Sequence, residues 1–175
     1  MNYSLETISA AYDGLGGPSF KNRYFVQFTI PSFVSTNIST EQLNLFCSSA
    51  SMPEHRVTTG DYQSVAQAVP VPYGFTVGTV DFTFNLPAEH GIIKIFDQWM
   101  EKMINSNSYV LSYKQDIVAN SWSVWQLDKK NNLKSGTKLW NVMPVGMSSV
   151  NYTDADGEVQ QITISIAYDR REAIK

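Results

Sequence analysis

The closing segment of the chain, QQITISIAYD, alternates apolar and polar residues. Its apolar positions are Ile162, Ile164, Ile166 and Tyr168. The intervening positions are polar or small and carry no charge: Gln161, Thr163, Ser165 and Ala167. Because successive side chains of a β-strand point to opposite sides, this period predicts a strand with one buried face. The pattern leaves open whether the second face is solvated or meets another molecule.

The same alternation predicts strands in other parts of the chain, which brings the total to about seven. The segments are RYFVQFTI (23–30), EQLNLFCSS (41–49), FTVGTVDFTFNLP (75–87), SYVLSYK (108–114), IVANSWSVWQL (117–127) and KLWNVMPVGM (138–147). Polar turns separate several of them, including DKKNN (128–132) and the acidic DADG (154–157). Most predicted strands are neighbours in sequence, which favours antiparallel pairing.

One segment has the three-and-four spacing of an amphipathic helix. It begins after Pro87, and its apolar positions are Ile92, Ile95, Phe96, Trp99, Met100 and Met103. Together these elements predict a mainly β fold, an antiparallel β-sandwich or barrel with one packed α-helix.

The chain of 175 residues is predicted to form one domain, residues 22–175, behind an N-terminal arm of residues 1–21. Glycines and Pro18 close the arm. Residues 54–75 are polar and interrupted by Gly60, Pro70 and Pro72, so they are predicted to form a long loop. Long loops in compact domains often have a function.

Charge and composition exclude several classes of protein. The net charge is −3, so the chain lacks the excess of basic residues that is typical of proteins that bind nucleic acid. A single cysteine, Cys47, rules out an internal disulfide and suits a reducing compartment. Neither a signal peptide nor a membrane span is evident, which predicts synthesis in the cytoplasm.

Candidate chemistry is sparse. The residues that could bind zinc, Cys47, His55 and His90, each stand alone, so no metal or cofactor is predicted. Cys47 shares its predicted strand face with Leu43 and Leu45, which indicates a buried hydrophobic residue rather than a nucleophile. No catalytic residue is predicted, and the chain is not expected to be an enzyme.

The order of these segments resembles that of the tail tube protein of contractile-tailed bacteriophages, across nearly the whole of residues 22–172. The shared series runs from RYFVQFTI through LFCSSASMPEHRV, VDFTFNLP and IFDQWMEKM to LWNVMPVGMSSVNYTDADGEVQQITISIAYDRRE. The closing part is its most specific portion. The chain departs from the pattern in the 54–75 segment and at Arg170 and Arg171, where an aromatic residue is expected.

The resemblance implies a structural subunit that forms stacked hexameric rings, within the tail of a virion and made in the host cytoplasm. DNA would pass transiently through the lumen during ejection, and a contractile sheath would surround the tube. The implied partners are further copies of the chain and the sheath, baseplate, tail-terminator and tape-measure proteins. The uncharged face of Gln161, Thr163, Ser165 and Ala167 is then a candidate lining of the lumen, since basic groups would hold phosphates. An ordinary solvated face explains the same pattern.

Contacts between rings and subunits are predicted for the arm and the 54–75 segment. The candidate residues are Val65, Val69, Val71, Tyr73, Arg170 and Arg171. The valines and the tyrosine could equally cover the body of their own subunit. Other open functions are a tube initiator or terminator, a tube of an injection system and, in a different class, a β-barrel that binds a small ligand.

Overall fold

The computed structural model describes residues 12, 18–54, 56–63, 67–105, 108, 110–150, 152 and 157–175. Nine strands lie in this part of the chain: β1 (Tyr24–Gln27), β2 (Cys47–Ala50), β3 (Arg56–Gln63), β4 (Ala68–Thr76), β5 (Val80–Asn85), β6 (Ala119–Leu127), β7 (Leu133–Met147), β8 (Gln161–Ala167) and β9 (Arg170–Ile174). Three helices accompany them: α1 (Thr40–Phe46), α2 (Gly91–Met103) and α3 (Lys114–Ile117).

Seven strands form one antiparallel sheet in the order β1-β6-β7-β8-β5-β2, and β9 also pairs with β7. The long strand β7 links two halves of this sheet. Its residues 136–140 pair with both β6 and β9, whereas residues 143–147 pair with β8. The remaining strands, β3 and β4, form a separate two-stranded hairpin. The predicted class, mainly β and antiparallel with a packed helix, is confirmed.

The core lies between the sheet and α2 and is filled by aromatic rings. The ring centroids of Phe28 and Trp122 are 4.6 Å apart, and those of Trp99 and Trp122 are 6.2 Å apart. Four residues of α2 are fully buried: Ile92, Ile95, Phe96 and Trp99. The predicted helix is therefore confirmed, although it begins at Gly91, after His90 in a left-handed conformation.

The strand predicted over residues 41–49 is wrong for most of its length. Residues Thr40–Phe46 form helix α1, and only Cys47–Ala50 continue as a short strand. Ser39 and Gln42 close a capping box at the helix start, in which each side chain bonds to the backbone of the other residue. As a result, Leu43 is buried, whereas Leu45 is 82% exposed.

Two further predictions differ from the structure. The segment 54–75 is largely the β3–β4 hairpin rather than a loop. Its prolines lie within β4, where they are compatible with an edge strand. The strand predicted over 108–114 is also wrong, because the structure has a single bridge between Ile104 and Leu111 followed by α3. Most of the predicted arm, His55, Val65 and residues 154–156 of the acidic turn lie outside the described residues.

Candidate functional site

The polar side of β8 faces away from the core and continues onto β5. Along β8, Ile162, Ile164 and Ile166 are buried, as the alternation predicts. On the other side, Gln161 is exposed, and Thr163, Ser165 and Ala167 are half-buried. The register of β5 against β8 places Asn85 opposite Gln161, Thr83 opposite Thr163 and Asp81 opposite Ser165.

Each of these three pairs is joined by a side-chain hydrogen bond. Gln161 Nε2 donates to Asn85 Oδ1 at 3.0 Å, and the hydroxyl oxygens of Thr163 and Thr83 are 3.1 Å apart. Ser165 Oγ donates to Asp81 Oδ1 at 2.6 Å. We call this surface the ladder face and define it by the residues Asp81, Thr83, Asn85, Gln161, Thr163, Ser165 and Ala167. Cross-strand pairs of this kind stabilise a sheet and limit side-chain freedom.

The ladder face carries one carboxylate and no basic group. Neither Lys nor Arg occurs in β2, β5, β8 or residues 142–147, which are the strands that make up this half of the sheet. At its edges, Ser49 of β2 lies opposite Thr83, and Gly146 of β7 lies opposite Ser165. The surface is therefore hydrogen-bonded, rigidly backed by the core and neutral to acidic.

Sequence reasoning missed the β5 half of this face. The alternation in VDFTFN, which places Asp81, Thr83 and Asn85 opposite the buried Phe82 and Phe84, was available as a signal. However, the bonded partners are about 80 residues apart in sequence, as in the separation of 80 between Thr83 and Thr163. Alternation predicts which side chains of a strand are buried, but it does not predict which strand lies next to it.

The hairpin presents a second surface, which is apolar. Val69 and Val71 are 46% and 47% exposed, and Tyr73 is 73% exposed. The pairs Tyr62–Val69 and Gly60–Val71 place Tyr62 on the same side, and a Cβ built at Gly60 would lie 3.3 Å from the Tyr73 ring. These four residues, Tyr62, Val69, Val71 and Tyr73, form what we call the hairpin apolar face. Exposed apolar groups in a continuous patch are typical of interfaces.

The two arginines predicted for contacts lie on β9, where each has a partner within its own chain. The Arg170 guanidinium lies 5.4 Å from the centre of the Trp140 ring, and the Trp140 indole donates to Glu172 Oε2 at 2.8 Å. Arg171 Nη1 donates to the carbonyl oxygen of Pro53 at 3.0 Å. Arg171 thus connects β9 to the segment that leads into the hairpin, whereas Arg170 belongs to a cation–π contact on the sheet.

Cys47 is buried, as the sequence analysis predicts, although at the junction of α1 and β2. Burial raises the pKa of its thiol to about 12, and Sγ donates to the Ser49 carbonyl oxygen at 3.4 Å. The thiol is therefore protonated near neutral pH and not poised as a nucleophile. Among the described residues, no group of three His, Cys, Asp or Glu side chains could hold a metal ion.

A cavity of about 400 Å³ lies outside the core, between residues 35–38 and the start of α2. Polar and charged groups such as Gln42, Glu89 and Lys94 contribute to its lining. A second cavity, of about 330 Å³, lies between β2 and the β1–β6 pair, and Lys21, Ser48 and Gln126 contribute to its lining. A ligand-binding barrel is expected to have a mostly apolar cavity between its strands.

Comparison with known families gives a match to the phage tail tube protein family over residues 19–172. The chain belongs to this family. Its role is that of a tube subunit, and it is a structural component of a phage tail. The match covers every strand of the seven-stranded sheet through to the first residues of β9.

Several solved structures share the fold of this tail tube protein at low sequence identity. A chain of an extracellular contractile injection system, the PVC sheath-tube complex in the extended state, has 14% identity and a TM-score of 0.63, with 99% of each chain covered. A chain of the 6-fold symmetrised anti-feeding prophage baseplate has 12% identity and a TM-score of 0.64, covering 90% of this chain and 95% of its own.

A third similar structure is a chain of the PVC sheath/tube terminator in the extended state. It has 13% identity and a TM-score of 0.64, covering 90% of this tail tube protein and 97% of its own length. Comparison with curated sequences gives no match. Among the described residues, no helix is long and apolar enough to cross a membrane.

Proposed function

We propose that six copies of this tail tube protein form a ring, that rings stack into a tube, and that the ladder face lines a lumen through which DNA is ejected. Sixfold rings are supported by the likeness to a chain of a 6-fold symmetrised baseplate. The proposed partners beyond further copies are the sheath, baseplate, terminator and tape-measure proteins.

The charge of the ladder face is the main observation that supports placing this face at the lumen. Its only charged group is the Asp81 carboxylate, and the strands of this half-sheet contain no Lys or Arg. Lys and Arg bind DNA phosphates and release counterions, which makes such contacts strong at low salt. A neutral to acidic lining leaves the phosphate backbone unbound, so DNA can slide past it.

The rigidity of the face supports the same role. Hydrogen bonds join the opposing side chains of β5 and β8, and the buried residues Phe82 and Ile164 back these strands from the core side. Paired side chains have few free donors to offer to a passing strand. The lining would therefore be smooth as well as uncharged.

The hairpin apolar face, together with Val65, is proposed to contact a subunit of the neighbouring ring. A two-stranded hairpin is marginally stable by itself in water, and covering its apolar side would stabilise it. Arg171, which holds Pro53 at the base of the hairpin, would set the direction in which the hairpin leaves the body. Arg170 is proposed to lie at the boundary between subunits.

The first experiment is electron microscopy of the purified wild-type protein across a concentration series. Rings with a central hole, or stacks of rings, are expected. A protein that stays monomeric at every concentration would contradict self-assembly. In that case the surface cavity beside α2 would be screened for small ligands.

The second experiment introduces charge onto the ladder face in assembled virions. The double variant Gln161→Lys/Thr163→Lys should still build tails of normal length, because neither residue belongs to the core. It should slow DNA ejection at low salt by about tenfold or more and recover as salt rises. The matched control, Gln161→Glu/Thr163→Glu, adds side chains of similar size with the opposite charge and should eject DNA normally.

A lysine on the β1–β6 half of the sheet tests whether that half, rather than the ladder face, lines the lumen. Gln27 of β1 is exposed, on the side of the strand opposite to the buried Val26. If Gln27→Lys slows ejection and the ladder-face lysines do not, the lumen is lined by the β1–β6 half of the sheet instead.

A further inference from the structure

The two edges of the β3–β4 hairpin differ in their backbone hydrogen-bonding groups. Pro70 and Pro72 of β4 lie opposite Asp61 and Thr59 of β3. In an antiparallel ladder, pairs that exchange hydrogen bonds alternate with pairs whose N–H and C=O groups point away from the partner strand. Proline has no N–H to donate, so both prolines occupy pairs of the second kind.

This placement closes the outer edge of β4. At Pro70 and Pro72, this edge offers carbonyl oxygens but no N–H donor, so another strand cannot pair with it over these positions. The opposing residues of β3, Thr59 and Asp61, belong to the same two pairs. Their N–H and C=O groups therefore point outward, and the edge of β3 remains open.

In the described seven-stranded sheet, β1, β2 and β9 each pair with only one strand, so each has an edge without a strand partner. Next to β1, Phe28 N donates to Asn44 Oδ1 of α1 at 3.0 Å, and Tyr24 Oη donates to the Cys47 carbonyl oxygen at 3.0 Å. The α1–β2 segment thus lies alongside β1. Strand β9 pairs with β7 on one side, and no strand of the described chain pairs with its other side.

Charge favours contact between the open edges of β3 and β9, because β1 and β2 carry no charged residue. Strand β3 carries Arg56 and Asp61, and β9 carries Arg170, Arg171 and Glu172. Each strand thus offers a group of the opposite sign to the other. The two strands do not pair with each other within the described chain, where β3 pairs with β4 and β9 pairs with β7.

We propose that β3 of one copy adds to the open edge of β9 of a second copy, through the outward backbone groups of Thr59 and Asp61. Strand addition of this kind derives its affinity from main-chain hydrogen bonds. It would add a third strand to a hairpin that is marginal by itself. The closed edge of β4 limits the addition to one side, so the contact has a direction and does not propagate into disordered aggregates.

This inference rests on the proposed self-assembly, and variants at Asp61 test it. Asp61→Pro removes an outward N–H without removing a hydrogen bond inside the hairpin. It should raise the protein concentration needed for tube assembly by about tenfold or more, which corresponds to about 1.4 kcal/mol. Asp61→Asn keeps the N–H and removes only the charge, so its effect should be about threefold or less.

A cross-link reports the contact directly and does not depend on the folding of the proline variant. In a Cys47→Ala background, Asp61→Cys combined with Glu172→Cys should give disulfide-linked chains on oxidation of assembled tubes. The control pair, Ala68→Cys with Glu172→Cys, places the first thiol on β4, keeps both prolines and should give none.

The outcomes separate this inference from the function on which it rests. Wild-type protein that forms no rings or tubes overturns both. Wild-type tubes with Asp61→Pro assembling at the same concentration, or with Asp61→Asn as defective as Asp61→Pro, overturn the strand addition alone. Cross-linking through Ala68→Cys but not Asp61→Cys does the same.

Discussion

The indole N–H of Trp99 donates to the carbonyl oxygen of Ile117 at 2.6 Å, in the buried core. Trp99 lies on α2 and Ile117 ends α3, so this single bond joins the two helices beneath the sheet. The Trp99 side chain is fully buried, and its ring lies parallel to that of Phe96 with 6.2 Å between centroids. The hydrogen-bond donor to the Ile117 carbonyl thus lies 18 positions earlier in the chain.

We expect Trp99→Phe to lower the free energy of unfolding by about 1–3 kcal/mol, because the Ile117 carbonyl loses its donor while remaining buried. The smaller ring adds a packing defect on top of this loss. Urea denaturation followed by circular dichroism measures the change. Trp140→Phe is the matched control, since its indole bonds to Glu172 at the surface, and it should cost less than about 1 kcal/mol. Equal losses in the two variants would contradict a special role for the buried bond.

A second prediction concerns the close approach of Gly136 to Trp125. A Cβ at Gly136 would lie 2.7 Å from the Trp125 ring and 2.9 Å from the Val124 carbonyl oxygen. Gly136→Ala therefore forces β6 and β7 apart and should destabilise the protein by about 1–3 kcal/mol. Gly74→Ala provides the control, because nothing lies within 4 Å of its added Cβ. Thermal denaturation should show a lower Tm for the first variant only.

A third prediction concerns the pH dependence of the ion pair between Asp169 and Lys114. Hydrogen bonds from Lys114 and Asn141 hold the pKa of Asp169 below its ordinary value. A depressed carboxyl pKa stabilises the fold above the unfolded pKa of about 3.9, and this contribution is lost as pH falls through the folded pKa. Because both groups are exposed, Asp169→Asn should cost less than about 1 kcal/mol at pH 7.

This contribution declines below the unfolded pKa of about 3.9, so in urea titrations the difference between wild type and Asp169→Asn should be smaller than at pH 7 when it is measured at pH 3. If the difference in the free energy of unfolding is the same at pH 3 as at pH 7, the carboxylate charge of Asp169 is not what stabilises the contact with Lys114. Lys114→Met offers an independent check, since it removes the partner charge and should give the same pH profile.

A fourth prediction concerns the reactivity of Cys47. Burial raises the pKa of its thiol to about 12, so almost no thiolate exists at pH 8. Iodoacetamide should leave Cys47 unmodified in the folded protein and modify it fully in guanidinium, as measured by intact mass. Rapid labelling of the native protein would show that the thiol is accessible and would reopen the question of a nucleophilic cysteine.

The errors in the sequence predictions have local physical causes. Leu43, Leu45 and Cys47 alternate as a strand would, yet Ser39 and Gln42 have the spacing of a capping box and begin helix α1. That signal was present in the sequence and competed with the alternation over a short segment. In the hairpin, Pro70 and Pro72 suggested a loop. Their spacing of two residues places both on the same outer edge, where proline does not interrupt the ladder.

The sequence by itself determined the buried faces of β5, β8 and α2, because the periods of strands and helices depend only on local backbone geometry. It also determined, by resemblance, the family to which the chain belongs. Only the tertiary structure decided that Asp81, Thr83 and Asn85 complete the ladder face, and that β9 and β3 are open edges. Pairing of strands joins residues far apart in sequence, and the energies that choose among possible partners come from packing of the whole core rather than from any single segment.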